Sequence, residues 1–303
     1  MNYITFRNSS GEIKAGWINH DIVVDMNEAS DGLLPSDLLT LINHYEKYRD
    51  IVTLYLESDR TKGRYKREEV TLLAPLPRPV SVRDFYAFEE HVKTARARRG
   101  LDVIPEWYEI PVFYFTNHLA IKGPEDEIDK PSGCNWLDYE LEIACIIGKE
   151  GRNIKAQDAE EYIFGYCIMN DWSARDLQAK EMKVGLGPAK GKDFATSLGP
   201  VIVTPDELES YKTSKGYNLE MTASVNGRLL SKGNFKQIHY SFAQMIERAS
   251  ADVTLYPGEV IGSGTVGTGC ILELGTEVHR WLEPGDEVEL TITGLGTLKN
   301  TIK

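Results

Sequence analysis

Residues 137–148 read LDYELEIACIIG, and this stretch decides how the rest of the chain is interpreted. Side chains alternate between the two faces of a strand, so one face is apolar and the other presents Asp138, Glu140 and Glu142. Glutamate is a poor strand former, and two carboxylates spaced two residues apart repel each other. The pattern therefore indicates either a half-solvated strand with an acidic outer face or carboxylates that converge on a hard cation.

A second segment, GYCIMNDWSARDLQAK (165–180), favours the cation. It predicts a strand that runs directly into a helix, with Ser173 as the helix N-cap and Asp171 at the strand tip. Arg175 and Gln178 are three residues apart, so they project from one face of that helix beside Asp171. The arrangement indicates either capping and surface pairing or a third metal ligand flanked by two groups that hold anionic substrate oxygens.

Three further segments of the sequence carry polar groups that could belong to the same site. Lys192 follows a glycine in a loop, but the GxxxxGK[ST] spacing of a phosphate-binding loop is absent. The run GSGTVGTG (262–269) offers backbone amides and Thr265 to an anion, although glycines in a β-rich tail also mark turns. Glu273 lies in CILEL (270–274), which we expect to be an apolar strand, and a charge there requires a partner.

One histidine stands among other polar candidates. His91 closes the run RDFYAFEEH (83–91), at the start of a helix expected over residues 88–99 and ending at Gly100. Histidine is the side chain that most often serves as general base near neutral pH, although a surface histidine on an amphipathic helix is the commoner case. The other five histidines show no metal-ligand spacing.

The organisation of the chain indicates an α+β, β-rich protein. Near the N-terminus we expect three short strands followed by a helix over residues 36–56, and a further short helix over residues 157–164. Three prolines in residues 75–79 can continue neither helix nor sheet, so a domain boundary is predicted near residues 73–80. The resulting division is a small N-terminal domain over residues 1–75 and a larger domain over residues 76–303, whose tail of short strands and Gly turns suggests a rolled or sandwiched sheet.

Composition excludes several classes of partner. The formal net charge of −12 argues against nucleic acid and anionic membrane surfaces. No basic-plus-apolar leader and no apolar run long enough to cross a bilayer are apparent, so we expect a soluble, cytoplasmic protein. The four cysteines have no CxxC spacing, and buried reduced thiols are the expected state.

These motifs, taken together, resemble those of the fumarylacetoacetate hydrolase superfamily. The blocks that carry the resemblance are DYELE (138–142), NDWSARDLQ (170–178), the Gly-Lys pair at 191–192 and GSGT (262–265), and their order and spacing cover residues from about 80 to 303. The resemblance implies a C-terminal catalytic domain built as a mixed β-sandwich roll, with a small N-terminal α/β domain. It also implies a homodimer.

The resemblance further implies a role for each matching residue. Carboxylates of a divalent metal site would be Asp84, Glu140, Glu142 and Asp171, with Mg²⁺ as the first expectation and Mn²⁺ or Ca²⁺ as alternatives. A water-activating His91 would be oriented by Glu273. The substrate would be held by the polar groups of Arg175, Gln178 and Lys192 and contacted by Tyr86, Tyr114 and Thr265. Residues 91–100 resemble a lid, and the spacing leaves open which of Arg96, Arg98 and Arg99 meets a second substrate carboxylate.

The implied activity is hydrolysis of a carbon–carbon bond in a β-diketo acid of the fumarylacetoacetate or acylpyruvate type. The hydrolase branch is favoured by Asp84, and also by Thr94, where the acylpyruvase and decarboxylase branch has a glutamate, and by Val266 in place of proline. Two alternatives stay open: a lyase or isomerase of the same superfamily, such as a decarboxylase of oxaloacetate or of a homoprotocatechuate-pathway intermediate, and a non-catalytic protein that binds a metal or ligand. The expected substrate is a small dicarboxylic or keto acid.

Overall fold

The computed structural model describes residues 1–56 and 61–303. The N-terminal part begins with the three predicted strands and continues with helices and two further strands. Its elements are β1 (Asn2–Arg7), β2 (Ile13–Asn19), β3 (Ile22–Asp25), α1 (Met26–Ala29), α2 (Leu38–Asn43), α3 (Tyr45–Leu56), β4 (Arg64–Lys66) and β5 (Thr71–Leu73). The single helix predicted over residues 36–56 is wrong, because the backbone at His44 leaves the helical region and separates α2 from α3. Asn and His have low helix propensity, which accounts for a break at this point.

The remaining residues form most of the sheet structure. Their elements are β6 (Val82–Phe85), α4 (Glu89–Ala97), β7 (Phe113–Thr116), β8 (Ile121–Lys122), β9 (Glu127–Ile128), β10 (Leu137–Asp138), β11 (Leu141–Ile147), β12 (Gly151–Arg152), β13 (Ile163–Asp171), β14 (Ser173–Ala174), α5 (Arg175–Val184), β15 (Thr196–Val203), β16 (Glu220–Val225), β17 (Arg228–Asn234), α6 (Phe242–Ser250), β18 (Thr254–Leu255), β19 (Val260–Gly262), α7 (Ile271–Leu274), β20 (Glu287–Ile292) and β21 (Gly296–Ile302). Short 3₁₀ helices cover Arg67–Glu69, Pro105–Tyr108, Ala156–Tyr162, Pro205–Tyr211 and Phe235–Gln237.

Three local predictions in this part are corrected by the structure. The helix expected over residues 157–164 is the 3₁₀ helix Ala156–Tyr162. The apolar strand expected over residues 270–274 is the short helix α7, since a run of five apolar-rich residues does not distinguish the two by periodicity. Gly100 was expected to cap α4, but the cap residue is Arg98, and Gly100 follows two residues later with a φ of 69°.

The strands form two large sheets that pack face to face. Together with the helices between the strands, they make the chain α+β and β-rich, as predicted. The larger sheet runs β4-β3-β2-β1-β15-β13-β11-β19-β6-β7, with β5 paired to β1 and β8 paired to β15. The five-stranded sheet runs β17-β16-β20-β21-β9 and contacts the central strands β11, β13 and β15. Side chains from both sheets, such as Ile143, Ile168, Met221 and Leu290, share one hydrophobic core. Because β1 pairs with β15, the N-terminal strands continue the larger sheet, and the division at residue 75 stays a prediction.

The strand order brings the chemically informative segments side by side. Strand β11 pairs with β13 on one side and β19 on the other, and β19 pairs with β6. In this register Ala144 lies opposite Gly262, and Gly262 lies opposite Asp84. Every residue from Leu137 to Ile147 is buried, which excludes the half-solvated alternative for this stretch. Its acidic side chains must therefore be neutralised inside the protein.

Candidate metal centre and catalytic site

Four carboxylates converge at the ends of the central strands. Asp84 comes from β6, Glu142 from β11 and Asp171 from the end of β13, while Glu140 lies in the break between β10 and β11. One oxygen from each of the four lies within 4.8 Å of the others, and all four side chains are buried. The break at Glu140 is held by its backbone N–H, which donates to the Asn170 side-chain oxygen at 2.9 Å. The structure thus brings together the four predicted metal ligands.

The electrostatics of this cluster favour a bound cation. Burial, and then the charge of Asp171, raise the pKa of Asp84 well above its usual value. Burial, and then the charge of Asp84, do the same to the pKa of Glu142. Among the described residues, Glu142 Oε2 and Asp171 Oδ1 have no hydrogen-bond partner. Buried carboxylate oxygens without donors, in a cluster of four carboxylates, fit a hard divalent cation that prefers oxygen ligands.

Lys192 supplies a positive charge to the same cluster. Its Nζ lies 2.5 Å from Glu140 Oε2, 2.6 Å from Asp171 Oδ2 and 2.7 Å from Ser173 Oγ. Burial opposes the charged ammonium, but Asp171 and Glu140 outweigh it and hold the pKa of Lys192 above its usual value. Ser173 is therefore not the N-cap that was predicted. Helix α5 begins after Ala174 without a side-chain cap, and the Ser173 hydroxyl donates to the Asp171 carbonyl oxygen and accepts from Lys192.

Arg175 is a second buried cation, and it forms ion pairs with two acids. Its guanidinium lies 2.9 Å from Asp138 Oδ2 and 2.8 Å from Glu140 Oε1. Asp138 also accepts from the backbone N–H groups of Ile271 and Leu272 at the start of α7. Asp138 thus serves Arg175 and α7 rather than the metal cluster. The expected single acidic face is wrong, because β10 ends at Asp138 and the chain breaks before β11.

The electrostatic result at Glu140 is opposite to that at Glu142. Burial opposes ionisation of Glu140, but the charges of Lys192 and Arg175 outweigh it and lower the pKa of this carboxyl below its usual value. Gln178 accepts from Arg175 at 3.3 Å, so Gln178 is held beside the same guanidinium. The site therefore contains carboxylates with lowered and with raised pKa values side by side.

His91 and Glu273 meet beside the carboxylate cluster. His91 Nδ1 lies 2.8 Å from Glu273 Oε2, and both side chains are buried. The contact falls outside hydrogen-bond alignment, so Nδ1 counts among the buried polar atoms without a hydrogen-bond partner in the described residues. Glu273 Oε1 accepts from the Thr268 backbone N–H at 3.1 Å, and the Cys270 thiol lies 3.5 Å from Glu273 Oε2. Sequence reasoning missed Cys270, because the helical spacing that brings it to Glu273 appears only once α7 is recognised.

A cavity of about 420 Å³ opens onto these groups. Asp171 and Glu273 lie behind its surface, and the other predicted site residues line it: Asp84, Tyr86, His91, Tyr114, Glu140, Glu142, Arg175, Gln178, Lys192 and Thr265. Two of these also touch the carboxylates, since the Tyr114 hydroxyl donates to Asp171 and the Thr265 hydroxyl lies 3.5 Å from Glu142 Oε1. A larger, open groove of about 1060 Å³ lies elsewhere and is lined by residues such as His44, Lys149 and Tyr256 rather than by any predicted site residue that the structure describes.

The three arginines of the predicted lid face different ways. Arg98 donates to the carbonyl oxygens of Glu273 and Leu274 and pairs with Glu277, so it ties α4 to α7. Arg96 and Arg99 line the cavity instead. Arg96 is anchored by its Nε to the Asp102 carbonyl oxygen, and Arg99 by its Nε to the Ala95 carbonyl oxygen. This leaves the terminal nitrogens of Arg96 and Arg99 as the lid cations nearest to a ligand in the cavity.

Two packed sheets that gather four buried carboxylates beside a histidine–glutamate pair fit a metal-assisted enzyme. Residues 81–303 match the Fumarylacetoacetate (FAA) hydrolase C-terminal family, and the chain belongs to this family.

Curated relatives and solved structures extend the similarity over most of the chain. Oxaloacetate tautomerase FAHD2B, mitochondrial, from Bos taurus is 33% identical over 289 residues, covering 92% of this chain and 83% of the relative. Fumarylacetoacetase from Oryza sativa subsp. japonica is 31% identical over 276 residues, covering 70% of this chain and 64% of the relative. The structure of fumarylacetoacetate hydrolase from psychrophilic Exiguobacterium antarcticum superposes with a TM-score of 0.76 at 28% identity, covering 100% of this chain and 99% of the other. The family is thus enzymatic and includes both hydrolases and tautomerases. None of the described helices has the length and apolarity needed to cross a membrane.

Proposed function

We propose that this protein hydrolyses a carbon–carbon bond in a β-diketo acid of the fumarylacetoacetate or acylpyruvate type, with Mg²⁺ as the metal. The observation that carries this proposal is the buried His91–Glu273 pair, 2.8 Å apart, beside the carboxylate cluster. His91 lines the cavity while Glu273 lies behind it, which is the order expected of a base and the group that orients it. Hydrolysis needs such a base to activate water.

The ligand set Asp84, Glu140, Glu142 and Asp171 would hold the divalent ion. When bound, that ion supplies Lewis acidity toward the oxygens of a β-diketo acid. His91 takes a proton from a water molecule, and the water oxygen attacks the substrate carbonyl carbon. The carbon–carbon bond then breaks, its electron pair leaves as an enolate, and the proton held by His91 returns to that carbon. The products are two acids, and atoms balance with one water consumed.

The cationic side chains of the site would each stabilise a different negative charge of the substrate. The Lys192 ammonium stands between Glu140 and Asp171 and can stabilise negative charge that develops on the attacked oxygen. Gln178, held by Arg175, offers its side-chain N–H groups to the cavity. Arg96 and Arg99 enter from the lid and suit a second carboxylate at the far end of the substrate. An acidic protein could hold a dicarboxylic acid by this local reversal of charge.

A second candidate function is keto–enol tautomerisation of a 2-oxo dicarboxylic acid. It is favoured by the bovine relative named as an oxaloacetate tautomerase, which matches 92% of this chain. The same His91 would move a proton between carbon and enol oxygen, and no water would be consumed. The two candidates share every residue of the site and differ in whether a water reaches the carbonyl carbon.

The experiment that separates them follows one purified sample through three readouts. Protein with Mg²⁺ is incubated with acylpyruvates, fumarylacetoacetate and the enol form of oxaloacetate, and enol absorbance, acid products and CO₂ are recorded together. Two acid products from a diketo acid support hydrolysis, whereas enol decay without new acids supports the tautomerase. Release of CO₂ would instead assign a decarboxylase, and saturable binding without turnover would assign a binding protein. A His91→Gln sample serves as the control for uncatalysed decay.

We also propose that the protein is cytoplasmic and that it acts as a homodimer, the latter as its resemblance to the superfamily implies. Light scattering of the eluted protein at several concentrations would measure the mass in solution. A single species at the monomer mass of 34.1 kDa would contradict the dimer.

A further inference from the structure

A second group of metal-ligating side chains lies beside the carboxylate cluster and has a different chemistry. It consists of His91, Cys270 and Glu273, and one donor atom from each lies within 4.8 Å of the others. All three side chains are buried, with Cys270 entirely enclosed. Cys270 and Glu273 are three residues apart at the start of α7, and His91 faces them from α4. A nitrogen, a sulfur and an oxygen are thus presented to one point from two helices.

The distances in this group are close to those of a tetrahedral zinc site. Zinc bonds of about 2.3 Å to sulfur and about 2.0 Å to nitrogen or oxygen place ligand atoms roughly 3.5 Å apart for sulfur and oxygen and roughly 3.3 Å apart for nitrogen and oxygen. In the structure, Cys270 Sγ lies 3.5 Å from Glu273 Oε2, which already equals the zinc-bound separation. His91 Nδ1 lies 2.8 Å from the same oxygen, so this pair would have to move apart by about 0.5 Å to reach the zinc-bound separation.

Hydrogen bonding leaves this point open to a cation. His91 Nδ1 is buried and has no aligned hydrogen-bond partner among the residues that the structure describes. The other oxygen of Glu273 is fixed by the Thr268 backbone N–H, so Oε2 remains directed at His91 and Cys270. The 2.8 Å contact of His91 Nδ1 with Oε2 is poorly aligned for a hydrogen bond, and a metal bound by both atoms would replace it with stronger contacts.

Charge balance also favours a divalent ion at this point. A neutral imidazole, a thiolate and a carboxylate carry two negative charges, which one divalent cation cancels. A neutral assembly can be buried at little electrostatic cost, unlike a lone thiolate.

We propose that His91, Cys270 and Glu273 form a binding site for a thiophilic divalent cation of the zinc class, and that its occupation switches the enzyme off. On binding, the metal forms bonds to Cys270 Sγ, Glu273 Oε2 and His91 Nδ1. The thiol proton leaves to solvent, and the imidazole proton moves to Nε2, so the ring can no longer accept a proton from water. Mg²⁺ does not compete here, because hard cations prefer the all-oxygen cluster, and soft cations prefer thiolate and imidazole.

The site itself is tested without turnover, by cobalt spectroscopy on the full-length protein. Co²⁺ is added to protein whose carboxylate cluster is saturated with Mg²⁺, and the near-ultraviolet thiolate-to-cobalt band is recorded. We expect the band in the wild type and in Cys134→Ala, a buried cysteine in a different part of the chain, and its loss in Cys270→Ala and Cys270→Ser. Two replacements are used so that instability of one does not decide the result. No thiolate band in wild type, or an unchanged band in both Cys270 variants, would overturn the proposal.

The inhibitory consequence rests on the proposed function and has its own measurement. Zn²⁺ titrated into the Mg²⁺-saturated enzyme should inhibit wild type and Cys134→Ala alike, and loss of the thiolate should raise the half-inhibitory concentration at least about tenfold in Cys270→Ala. Equal inhibition of all three proteins would mean that Zn²⁺ acts at the carboxylate cluster, and would overturn the switch. If no substrate is turned over at all, the proposed function fails, while the cobalt band still decides the site.

Discussion

Two buried cations make the carboxylate cluster compatible with a folded protein. Lys192 contacts Glu140 and Asp171, while Arg175 contacts Glu140 from the opposite side. Asp84 and Glu142 form no ion pair with a cation of the described residues, and burial, followed by neighbouring carboxylates, raises their pKa values. The half of the cluster without a protein cation is therefore the half that most needs a metal ion. Individual charges, rather than the net charge of −12, decide where a cation binds.

Replacement of His91 tests the base at the scale of one side chain. His91→Ala should lower kcat by about 10²–10⁴-fold, the contribution expected of one general base. Metal affinity measured by calorimetry should stay close to that of wild type, because the proposed ligands are four carboxylates. Glu273→Gln should lower kcat less, since the imidazole remains in place. Near-full activity of His91→Ala would refute the proposed role.

The lid arginines give a matched pair of substitutions. Arg99 lines the cavity, whereas Arg98 donates to the Glu273 and Leu274 carbonyl oxygens outside it. Arg99→Gln should raise KM for a dicarboxylic substrate by about 10–100-fold, the value of one hydrogen bond to a charged group, and leave KM for the matching monocarboxylic analogue unchanged. Arg98→Gln should show no such selectivity. Equal effects of Arg99→Gln on both substrates would place the second carboxylate elsewhere.

At the scale of elements, short segments depend on polar contacts at their ends. The loop before β20 is held by Asp286, which accepts from Arg280, from the Glu283 backbone N–H and from Asn226. Burial opposes ionisation of Asp286, but these hydrogen bonds outweigh it and lower the pKa of its carboxyl to about 2. The ionised form of this side chain therefore stabilises the start of β20.

This contact predicts a pH dependence of stability with a defined sign. Because the folded pKa of Asp286 lies below its value of 3.8 in the absence of contacts, its contribution is fully present above about pH 4 and is lost as the pH falls toward 2. Asp286→Asn should cost on the order of 1–2 kcal/mol at pH 7. Chemical unfolding at pH 7, 4 and 2.5 would show the difference between variant and wild type shrinking at the lowest pH. A constant difference over this range would contradict the assignment.

Sequence patterns predicted the elements whose partners are close along the chain, and missed those set by distant contacts. Alternation over residues 137–148 predicted that Glu140 and Glu142 lie together, but not the break between β10 and β11 that separates Asp138 from them. The role of Ser173 was wrong because Lys192, which recruits its hydroxyl, approaches from a separate loop. The helical form of residues 271–274 and the pairing of β1 with β15 likewise depend on the folded chain. Motif resemblance supplied the residues of the site, but not which lid arginine faces the cavity.

At the scale of the whole molecule, the site lies in the part of the larger sheet where the buried carboxylates cluster. Strands β6, β11 and β13 of that sheet carry Asp84, Glu142 and Asp171, and the five-stranded sheet packs behind β11 and β13. Unpaired negative charge in such a position opposes folding, since burial favours the neutral form of a carboxyl. Global stability should therefore report on the state of the metal centre.

Glu142→Gln tests this link between site and stability. Because burial and Asp84 raise the pKa of Glu142, the folded protein disfavours its charged form at neutral pH, and an amide of the same shape removes that penalty. In the presence of EDTA the variant should be more stable than wild type by roughly 1–3 kcal/mol. Mg²⁺ at 100 times its Kd should stabilise wild type by about 2.7 kcal/mol and the variant far less. The difference in stability between the two proteins should therefore shrink or change sign.

The matched control for that measurement is Asp138→Asn, a buried acid of the same strand region with a different partner. Asp138 accepts from Arg175 and from two backbone N–H groups, so its replacement leaves Arg175 short of an acceptor. Although burial also raises the pKa of Asp138, Asp138→Asn should lower stability with EDTA and with Mg²⁺ alike, since it takes a charged acceptor from the buried guanidinium of Arg175. Denaturant midpoints of the three proteins, each with and without Mg²⁺, give the comparison. If Glu142→Gln is the less stable protein in EDTA, the cluster is neutralised by Lys192 and Arg175 alone, and the need for a metal ion no longer follows from its burial.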